Sequence, residues 1–241
     1  MAVVYSRSIG DTQYEVRTAG KTVRLYSNGV LHSQFNSNHI ISGAIWDLLL
    51  LPAFLMKTSP QNILLLGLGG GTLVHSIKHF FPGANITCVE LDKQHIQIAE
   101  RFFKIPKQSI SLHHGDAYEF LKSSKDKYDW IIDDVFQHVT GEPERSGSEF
   151  QSHQLYKRHL TKDGMLSLNL IGKRQLEDIQ PMLSQWNHGV QFTHPLYENR
   201  IVAMGDQLRV RKEFKLALKG FPTLDQSRKT CRLKYTWRDM R

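Results

Sequence analysis

Apolar and polar positions along the chain change their period repeatedly, and each change marks the boundary of a predicted element. In the first forty residues, apolar and polar side chains alternate, which is typical of half-buried β-strands. The predicted strands are Thr12 to Arg17, Thr22 to Tyr26 and Val30 to Phe35. Asn28-Gly29 separates the last two and favours a tight hairpin. Residues 1–40 are therefore predicted to form a small antiparallel β-hairpin unit.

From residue 41 onward, short apolar runs alternate with segments of helical period. The runs predict strands at Ile63 to Leu66, Asn85 to Leu91, Ser109 to His113, Tyr128 to Asp134 and Gly164 to Ile171, and a closing hairpin of Val190 to Pro195 with Arg200 to Met204. Helices are predicted over Gly43 to Lys57, from a Thr72 cap, from Asp92 to Phe103, from Tyr118 to Ser123, from Glu149 to Leu160 and from Lys173 to Trp186. Regular alternation of strand and helix predicts an α/β fold, a doubly wound Rossmann-like sheet over residues 41–205.

The stretch from Ile63 to Asp92 has the pattern of a nucleotide-binding strand–turn–helix–strand unit. Gly67, Gly69 and Gly71 follow the first core strand and allow backbone to approach a ligand closely. Glu90 lies 23 residues after Gly67, near the offset of about 20 at which an acid meets a ribose hydroxyl. The G-x-G-x-G spacing favours an adenosylmethionine-type ligand over NAD, and no P-loop ending follows. The alternative is that the glycines only shape a turn.

Acidic residues end several of the predicted parallel strands. They are Glu90, Asp92, Asp116, Asp133 and Asp134. Ligands bind at the carboxyl ends of strands in such sheets, so these side chains are candidate site residues. Asp133 and Asp134 point to opposite sides of a strand, and only one can face the cleft. The alternative for each acid is a helix cap or a solvated loop position, which we favour for Asp92.

The charge of the chain is concentrated towards its C-terminus. The 241 residues have a formal net charge of +8, and residues 206–241 contain 11 Lys and Arg against 4 Asp and Glu. We predict that this segment is a basic C-terminal extension. Such a segment can bind nucleic acid or an acidic partner, but a solvated charged face is the favoured interpretation, since no nucleic-acid-binding motif accompanies it.

The cysteines and the apolar runs of the chain indicate its cellular compartment. Cys88 lies in a predicted buried strand far from Cys231, which argues against a disulfide framework. The longest apolar run, Ile45 to Met56, is shorter than the roughly 20 residues of a membrane-spanning helix. We therefore expect a cytoplasmic protein with no membrane association. His75 and His79 share a predicted helix face without an apparent third ligand, so no metal site is predicted.

Several motifs now resemble those of a known family in order and spacing. They are Tyr26-Ser-Asn-Gly-Val-Leu-His-Ser33, Gly67-Leu-Gly-Gly-Gly71, Val89-Glu-Leu-Asp92, Gly115-Asp-Ala117 and Tyr128-Asp-Trp-Ile-Ile-Asp-Asp134. The chain resembles the spermidine synthase group, the polyamine aminopropyltransferases and their relatives, from about Val23 to Ile171. That family shares the class I adenosylmethionine-dependent methyltransferase fold, and the resemblance implies the same fold here.

The resemblance also implies roles for individual residues. Glu90 would bind the ribose, Asp116 the adenine amine, and Asp134 would be the catalytic aspartate that assists an attacking amine. The predicted cofactor-binding set is Gly67, Gly69, Gly71, Glu90, Asp116 and Ala117. His32 and Gln137 are predicted to contact the substrate.

Three positions depart from the family pattern. Gly70 stands where the synthases have an acid in the glycine loop, Gln137 where they have a second aspartate, and His32 where they have a glutamine. Multiply charged polyamines need several carboxylates, so these losses weaken a polyamine substrate. An acid at Gly70 would also repel the carboxylate of ordinary S-adenosylmethionine, so the glycine favours that cofactor over the decarboxylated form.

The sequence therefore leads to three hypotheses. The first is methyl transfer from S-adenosylmethionine to an amine-type nucleophile on a small molecule or a protein. The second is a polyamine aminopropyltransferase that uses decarboxylated S-adenosylmethionine. The third is a non-catalytic module that binds nucleic acid or an acidic protein through the basic C-terminus. The N-terminal hairpins would allow a homodimer.

Overall fold

The N-terminal part of the chain forms a separate small sheet. The computed structural model describes residues 1–139, 142–144 and 149–240, without the side chains of residues 109, 137–139, 142–144 and 149–152. The strands β1 (Ala2–Ile9), β2 (Thr12–Ala19), β3 (Thr22–Ser27) and β4 (Val30–Asn36) pair in this order, and all pairs are antiparallel. The three predicted strands are confirmed. The sequence pattern missed β1 because both faces of this strand are largely exposed.

The second part of the chain builds an eight-stranded sheet. The remaining strands are β5 (Asn62–Leu66), β6 (Asn85–Glu90), β7 (Ile110–His114), β8 (Tyr128–Asp133), β9 (Gln137–Val139), β10 (Glu142–Glu144), β11 (Leu160–Ile171), β12 (His188–Thr193), β13 (Asn199–Gly205) and β14 (Thr236–Asp239). The large sheet has the order β14-β12-β13-β11-β8-β5-β6-β7, and β9 and β10 pair with each other separately. The strands from β11 to β7 are parallel, and the other three are antiparallel to their neighbours.

This strand order confirms the predicted α/β class and locates the switch point of the sheet. From β5 the chain first moves outward through β6 and β7, then returns to the other side of β5 at β8. Loops after β5 and β8 therefore diverge and leave a crevice between them. Ligands of doubly wound sheets bind in such a crevice, at the carboxyl ends of the strands.

Most predicted helices are confirmed within a residue or so, but the two predicted over Gly43 to Lys57 and Lys173 to Trp186 are shortened or divided. The helices are α1 (Ile45–Leu50), α2 (Thr72–Phe80), α3 (Lys93–Ile98), α4 (Ala117–Ser123), α5 (Glu149–His159), α6 (Arg174–Asp178), α7 (Gln180–Leu183), α8 (Arg211–Lys219) and α9 (Pro222–Lys229), and α3 continues as a π turn over Ala99–Phe103. Prolines account for two of the differences. Pro52 turns the end of α1 into a 3-10 helix, and Pro181 lies where the predicted helix from Lys173 to Trp186 divides in two.

The hydrophobic core lies on both faces of the large sheet because successive strand residues point to opposite sides. Ile63 and Leu65 of β5 join the cluster that includes α1, α2, α8 and α9, whereas Leu64 and Leu66 join the cluster under α5 and α7. Cys88 is buried in the first cluster, and burial raises the pKa of its thiol well above the usual range. Within the described ranges, no helix is long and apolar enough to cross a bilayer.

Residues 206–240 pack onto this same sheet. Phe214 and Leu218 of α8 and Leu224 of α9 are fully buried in the cluster that includes α1 and α2. β14 adds an antiparallel strand beside β12. The basic segment is thus folded against the core, with its cations on the outer surface.

Asp47 of α1 is a charged residue buried within the core, with only 3% of its surface exposed. Its Oδ2 accepts the N–H of Gly43 at 2.6 Å, and its Oδ1 accepts the N–H of Ser42 at 3.3 Å. Burial raises the pKa of this carboxyl to about 6, and the backbone N–H bonds lower it in part. The carboxylate therefore fixes the turn into α1 at the expense of its own desolvation.

The substitution Asp47→Asn tests whether the desolvation of the carboxylate outweighs its hydrogen bonds to the backbone. The pKa of Asp47 in the folded protein, about 6, is above its ordinary value of 3.8. The folded state thus binds more protons between these values, and the carboxyl's contribution to the free energy of unfolding falls as the pH rises from about 4 to about 6. We expect Asp47→Asn to raise the free energy of unfolding by about 1–3 kcal/mol at pH 8 and hardly at all at pH 4.5.

Urea denaturation at the two pH values measures this difference. The exposed Asp163→Asn is the matched control, and it should change the free energy of unfolding equally at both. Lower stability of Asp47→Asn at pH 8 would show that the carboxylate charge is needed.

Candidate active site

The glycine loop that follows β5 leaves no room for side chains. Gly67, Gly69 and Gly71 have positive φ angles of 87°, 53° and 82°, which are strained for other residues. A Cβ atom at residue 67 would lie 2.6 Å from the carbonyl oxygen of Asp134, and one at residue 69 would lie 2.9 Å from that of His32. The loop is therefore enclosed between the end of β8 and strand β4.

Strand β4 holds the loop by hydrogen bonds. The N–H of Gly70 donates to the hydroxyl of Ser33 at 2.6 Å, and the hydroxyl of Thr72 donates to the carbonyl of Gln34 at 3.1 Å. The prediction that Thr72 caps α2 is wrong, because the cap position is Gly71 in the left-handed conformation. Thr72 is the first helical residue, and its hydroxyl fastens the small sheet to the large one instead.

The position of Gly70 is filled by its neighbours. A Cβ atom at residue 70 would lie 2.7 Å from Cβ of Ser33 and 2.7 Å from Cζ of Phe103. Real Cβ atoms do not approach other atoms so closely. An acidic side chain at this point of the loop is therefore excluded by packing.

Glu90 is tied to the same loop. It is 8% exposed at the end of β6. Its Oε2 accepts the N–H groups of Leu68 and Gly69 at 2.8 and 3.0 Å, and its Oε1 accepts the N–H of Asp92 at 2.8 Å. Because a carboxylate oxygen has two acceptor positions, Oε1 retains capacity for a further donor. The predicted ribose contact is compatible with this arrangement and stays a prediction.

A histidine that the sequence pattern missed lies beside Glu90. Nε2 of His95 is 2.8 Å from the hydroxyl of Ser27, and Nδ1 is 3.9 Å from Oε1 of Glu90. Tyr14 donates to Asp92 at 2.7 Å, and burial together with Asp92 raises the pKa of Tyr14 to about 12. Asp92 also caps α3, as expected. Ser27 and Tyr14 belong to the small sheet and are far from α3 in sequence. No local sequence pattern predicts their contacts with His95 and Asp92.

Asp116 and its neighbours form the next part of the crevice. Oδ1 of Asp116 accepts the N–H groups of Tyr118 and Glu119, both at 2.9 Å, and so caps α4. Ala117 begins the helix and is buried. Leu91, which follows β6 between Glu90 and Asp92, is 54% exposed. Such an exposed apolar side chain could pack against the flat face of a nucleobase. The adenine contact of Asp116 stays a prediction.

The two aspartates at the end of β8 have different environments. Asp133 is fully buried and accepts the hydroxyl of Tyr156 and the N–H of Val135. Asp134 is half-buried, and its Oδ1 accepts the side-chain N–H of Asn169 at 2.7 Å. Asn169 in turn accepts an N–H from Asn199 at 2.9 Å. This chain of amides fixes the carboxylate of Asp134 beside the glycine loop.

Three other residues were singled out in the sequence: His32, Gln137 and His75. The ring of His32 packs 4.9 Å from the ring of His95, near the loop. The side chain of Gln137 lies outside the described part of the structure. The ring of His75 stacks on Phe35 at 4.0 Å, and burial lowers its pKa. Within the described residues, no group of His, Cys, Asp and Glu side chains has an arrangement that would hold a metal ion.

Comparison with known sequences connects this arrangement to a family. The family model described as the spermine/spermidine synthase domain matches residues 47–186. A probable polyamine aminopropyl transferase from Bifidobacterium longum is 31% identical over 115 residues, 48% of this chain and 25% of that protein. A polyamine aminopropyltransferase from Vibrio vulnificus is 31% identical over 132 residues, 53% of this chain and 44% of that protein. The matched region thus spans less than half of each relative.

Solved structures share the fold. A probable spermidine synthase from Corynebacterium glutamicum superposes with a TM-score of 0.75 at 18% identity, covering 99% of this chain and 91% of that one. Human methyltransferase-like protein 13 in complex with SAH has a TM-score of 0.59 at 22% identity, covering 83% of this chain and 95% of that one. At these identities, the likeness shows the fold alone.

The packing around Gly70 gives a testable prediction. Gly70→Ala should lower the free energy of unfolding by about 1–3 kcal/mol, because Ser33 and Phe103 must move to admit a methyl group. Gly83→Ala is the matched control, since nothing lies within 4 Å of its Cβ position and neither glycine has a positive φ. Urea denaturation should leave the control unchanged or stabilised by up to about 1 kcal/mol. Equal stability of the two variants would contradict the described packing.

Proposed function

Because the chain belongs to the spermine/spermidine synthase domain family, we propose that it transfers an aminopropyl group from decarboxylated S-adenosylmethionine to an amine acceptor. The observation that carries this proposal is the position of Asp134, at the carboxyl end of β8 and against the glycine loop. The names of the two relatives support the same reaction. They favour the aminopropyl alternative over methyl transfer, which was the first hypothesis from the sequence.

The residues of the crevice suit an adenosine-bearing cofactor. The glycine loop admits close approach of backbone, Glu90 offers an acceptor at Oε1, and Leu91 and Asp116 lie at the neighbouring strand ends. When bound, the cofactor supplies a sulfonium whose sulfur–carbon bond breaks as the acceptor nitrogen forms a bond to that carbon.

Asp134 has the central role among the chain's own residues. An amine attacks only when its nitrogen lone pair is free, so a proton must leave the acceptor. A carboxylate beside the nitrogen attracts the ammonium form by its charge and takes the proton before the freed lone pair attacks. Asn169 fixes the carboxylate through Oδ1 and so maintains its orientation. Asp133 is buried against Tyr156 and does not serve this role.

Methyl transfer from ordinary S-adenosylmethionine is the second candidate, and the environment of Gly70 favours it. Ser33 and Phe103 occupy the place where residue 70 would carry a side chain. The loop therefore offers no carboxylate to the ammonium group of a decarboxylated cofactor. Equally, it presents no negative charge that would repel the carboxylate of the ordinary form.

One experiment separates the two candidates. Each cofactor is titrated calorimetrically, then incubated with the protein and a panel of linear diamines, and products are identified by mass spectrometry. Aminopropyl transfer predicts tighter binding of the decarboxylated form and release of 5′-methylthioadenosine together with a longer polyamine. Formation of S-adenosylhomocysteine alone would support methyl transfer instead, and binding of neither cofactor would contradict both.

The role of Asp134 is tested by Asp134→Asn, which removes the charge and keeps the shape. We expect kcat to fall by about 10²–10⁴, the usual contribution of a general base, while cofactor affinity changes less than about threefold. The exposed Asp163→Asn should have wild-type kinetics. Turnover within threefold of wild type in Asp134→Asn would exclude this residue as the base.

A further inference from the structure

Four positive side chains surround a cavity remote from the predicted site. The cavity has a volume of about 470 Å³ and lies between α8, α9 and the start of β14. Its lining consists of four cations, four apolar or aromatic residues and a threonine: Arg211, Lys215, Arg228, Lys234, Phe214, Leu233, Tyr235, Trp237 and Thr236. Neither aspartate nor glutamate lines it. Small-molecule sites have volumes of about 300–1,000 Å³.

The cavity is separate from the crevice. β14 lies four strand spacings from β8 in the sheet order, or about 19 Å. None of the predicted cofactor, catalytic or substrate residues whose side chains the structure describes lines the cavity. A ligand here would therefore leave the crevice open.

Among the described residues, three of the four cations around the cavity lack an acidic partner. Arg211 and Lys215 are one turn apart on α8, where like charges destabilise a helix. Across the described residues, no salt bridge joins either of them, or Lys234, to an acid. The nearby Asp225 pairs with Lys229 at 2.5 Å and lies 3.6 Å from Arg228. An anion in the cavity would relieve the repulsion.

Two of the cations lie near the hydroxyl of Tyr235. Burial raises the pKa of the Tyr235 hydroxyl, and the nearby guanidinium groups of Arg228 and Arg211 lower it in part. The Nε of Arg228 is buried and has no hydrogen-bond partner in the described part of the chain. A guanidinium binds phosphate oxygens through paired N–H donors.

Aromatic rings form the adjoining wall. The indole of Trp237 packs 5.0 Å from Phe214 and edge-on to Phe192 at 5.4 Å, and its Nε1 donates to Asp239 at 3.0 Å. These contacts hold the half-buried ring in one orientation beside the cations. Stacking of a base on such a ring contributes about 1–3 kcal/mol.

We propose that this cavity binds a nucleoside polyphosphate. The phosphates lie among Arg211, Lys215, Arg228 and Lys234, and the base lies against the ring of Trp237. The combination of clustered cations with an aromatic wall distinguishes this ligand from a bare inorganic anion, which would use the cations alone.

ATP without metal is the probe, titrated calorimetrically into the whole protein in low salt. We expect binding that weakens at least tenfold in the double variant Arg211→Gln/Lys215→Gln. The matched control is Lys212→Gln/Lys219→Gln, which removes the same charge from α8 at positions that do not line the cavity. The control should bind within about threefold of wild type. Lys234→Gln gives a single-site variant outside the helix, with the same expected direction.

Three further results would overturn the proposal. Absence of ATP binding is the first, and equal weakening in the control variant, which indicates unspecific charge attraction, is the second. Loss of ATP binding in the presence of saturating S-adenosylhomocysteine is the third, because it would place the nucleotide in the crevice. Tripolyphosphate binding as tightly as ATP would refute the contact with Trp237, which Trp237→Leu tests directly.

Discussion

The carbonyl oxygen of Asp134 lies 2.6 Å from the place where residue 67 would carry a Cβ atom, and the carbonyl of His32 lies 2.9 Å from the corresponding place at residue 69. Backbone from three separate elements thus approaches so closely that no space is left for a Cβ atom at residues 67 and 69. The closeness depends on glycine, and it fixes the relative positions of β5, β8 and the small sheet. Glu90 adds two N–H bonds from the loop, so the carboxylate and the turn behave as one rigid unit.

Much of this arrangement follows from the sequence. Apolar residues recur every two residues in a half-buried strand and about every 3.6 residues in a half-buried helix. The changes between these two periods predicted the order of strands and helices. The glycine spacing and the acids at strand ends predicted the crevice, because parallel strands bring their carboxyl ends to one edge. The alternation along a strand predicted that Asp133 and Asp134 differ in environment, and Asp133 is fully buried whereas Asp134 is half-buried.

Other features depend on contacts between distant segments and could not be predicted locally. β1 has no buried face to impose alternation, and the basic residues after Asp206 gave no sign that β14 completes the sheet. His95 gains its environment from Ser27 and Tyr14, which are remote in sequence. The sequence shows that Gly70 replaces the acid of the family pattern. It does not show that Phe103 and Ser33 fill the space beside Gly70, because these residues are distant in sequence.

The pairing of β14 with β12 has a consequence for solubility. Phe192 of β12 is fully buried, and its contacts include the rings of Trp237 and Tyr235. Without β14, a strand edge with unpaired N–H and C=O groups would be exposed beside a large aromatic surface, and such edges recruit strands of other molecules. β14 is itself the edge strand of the sheet, but its four residues replace the six-residue edge of β12 with a shorter one. A short edge strand that also covers these aromatic rings disfavours self-association.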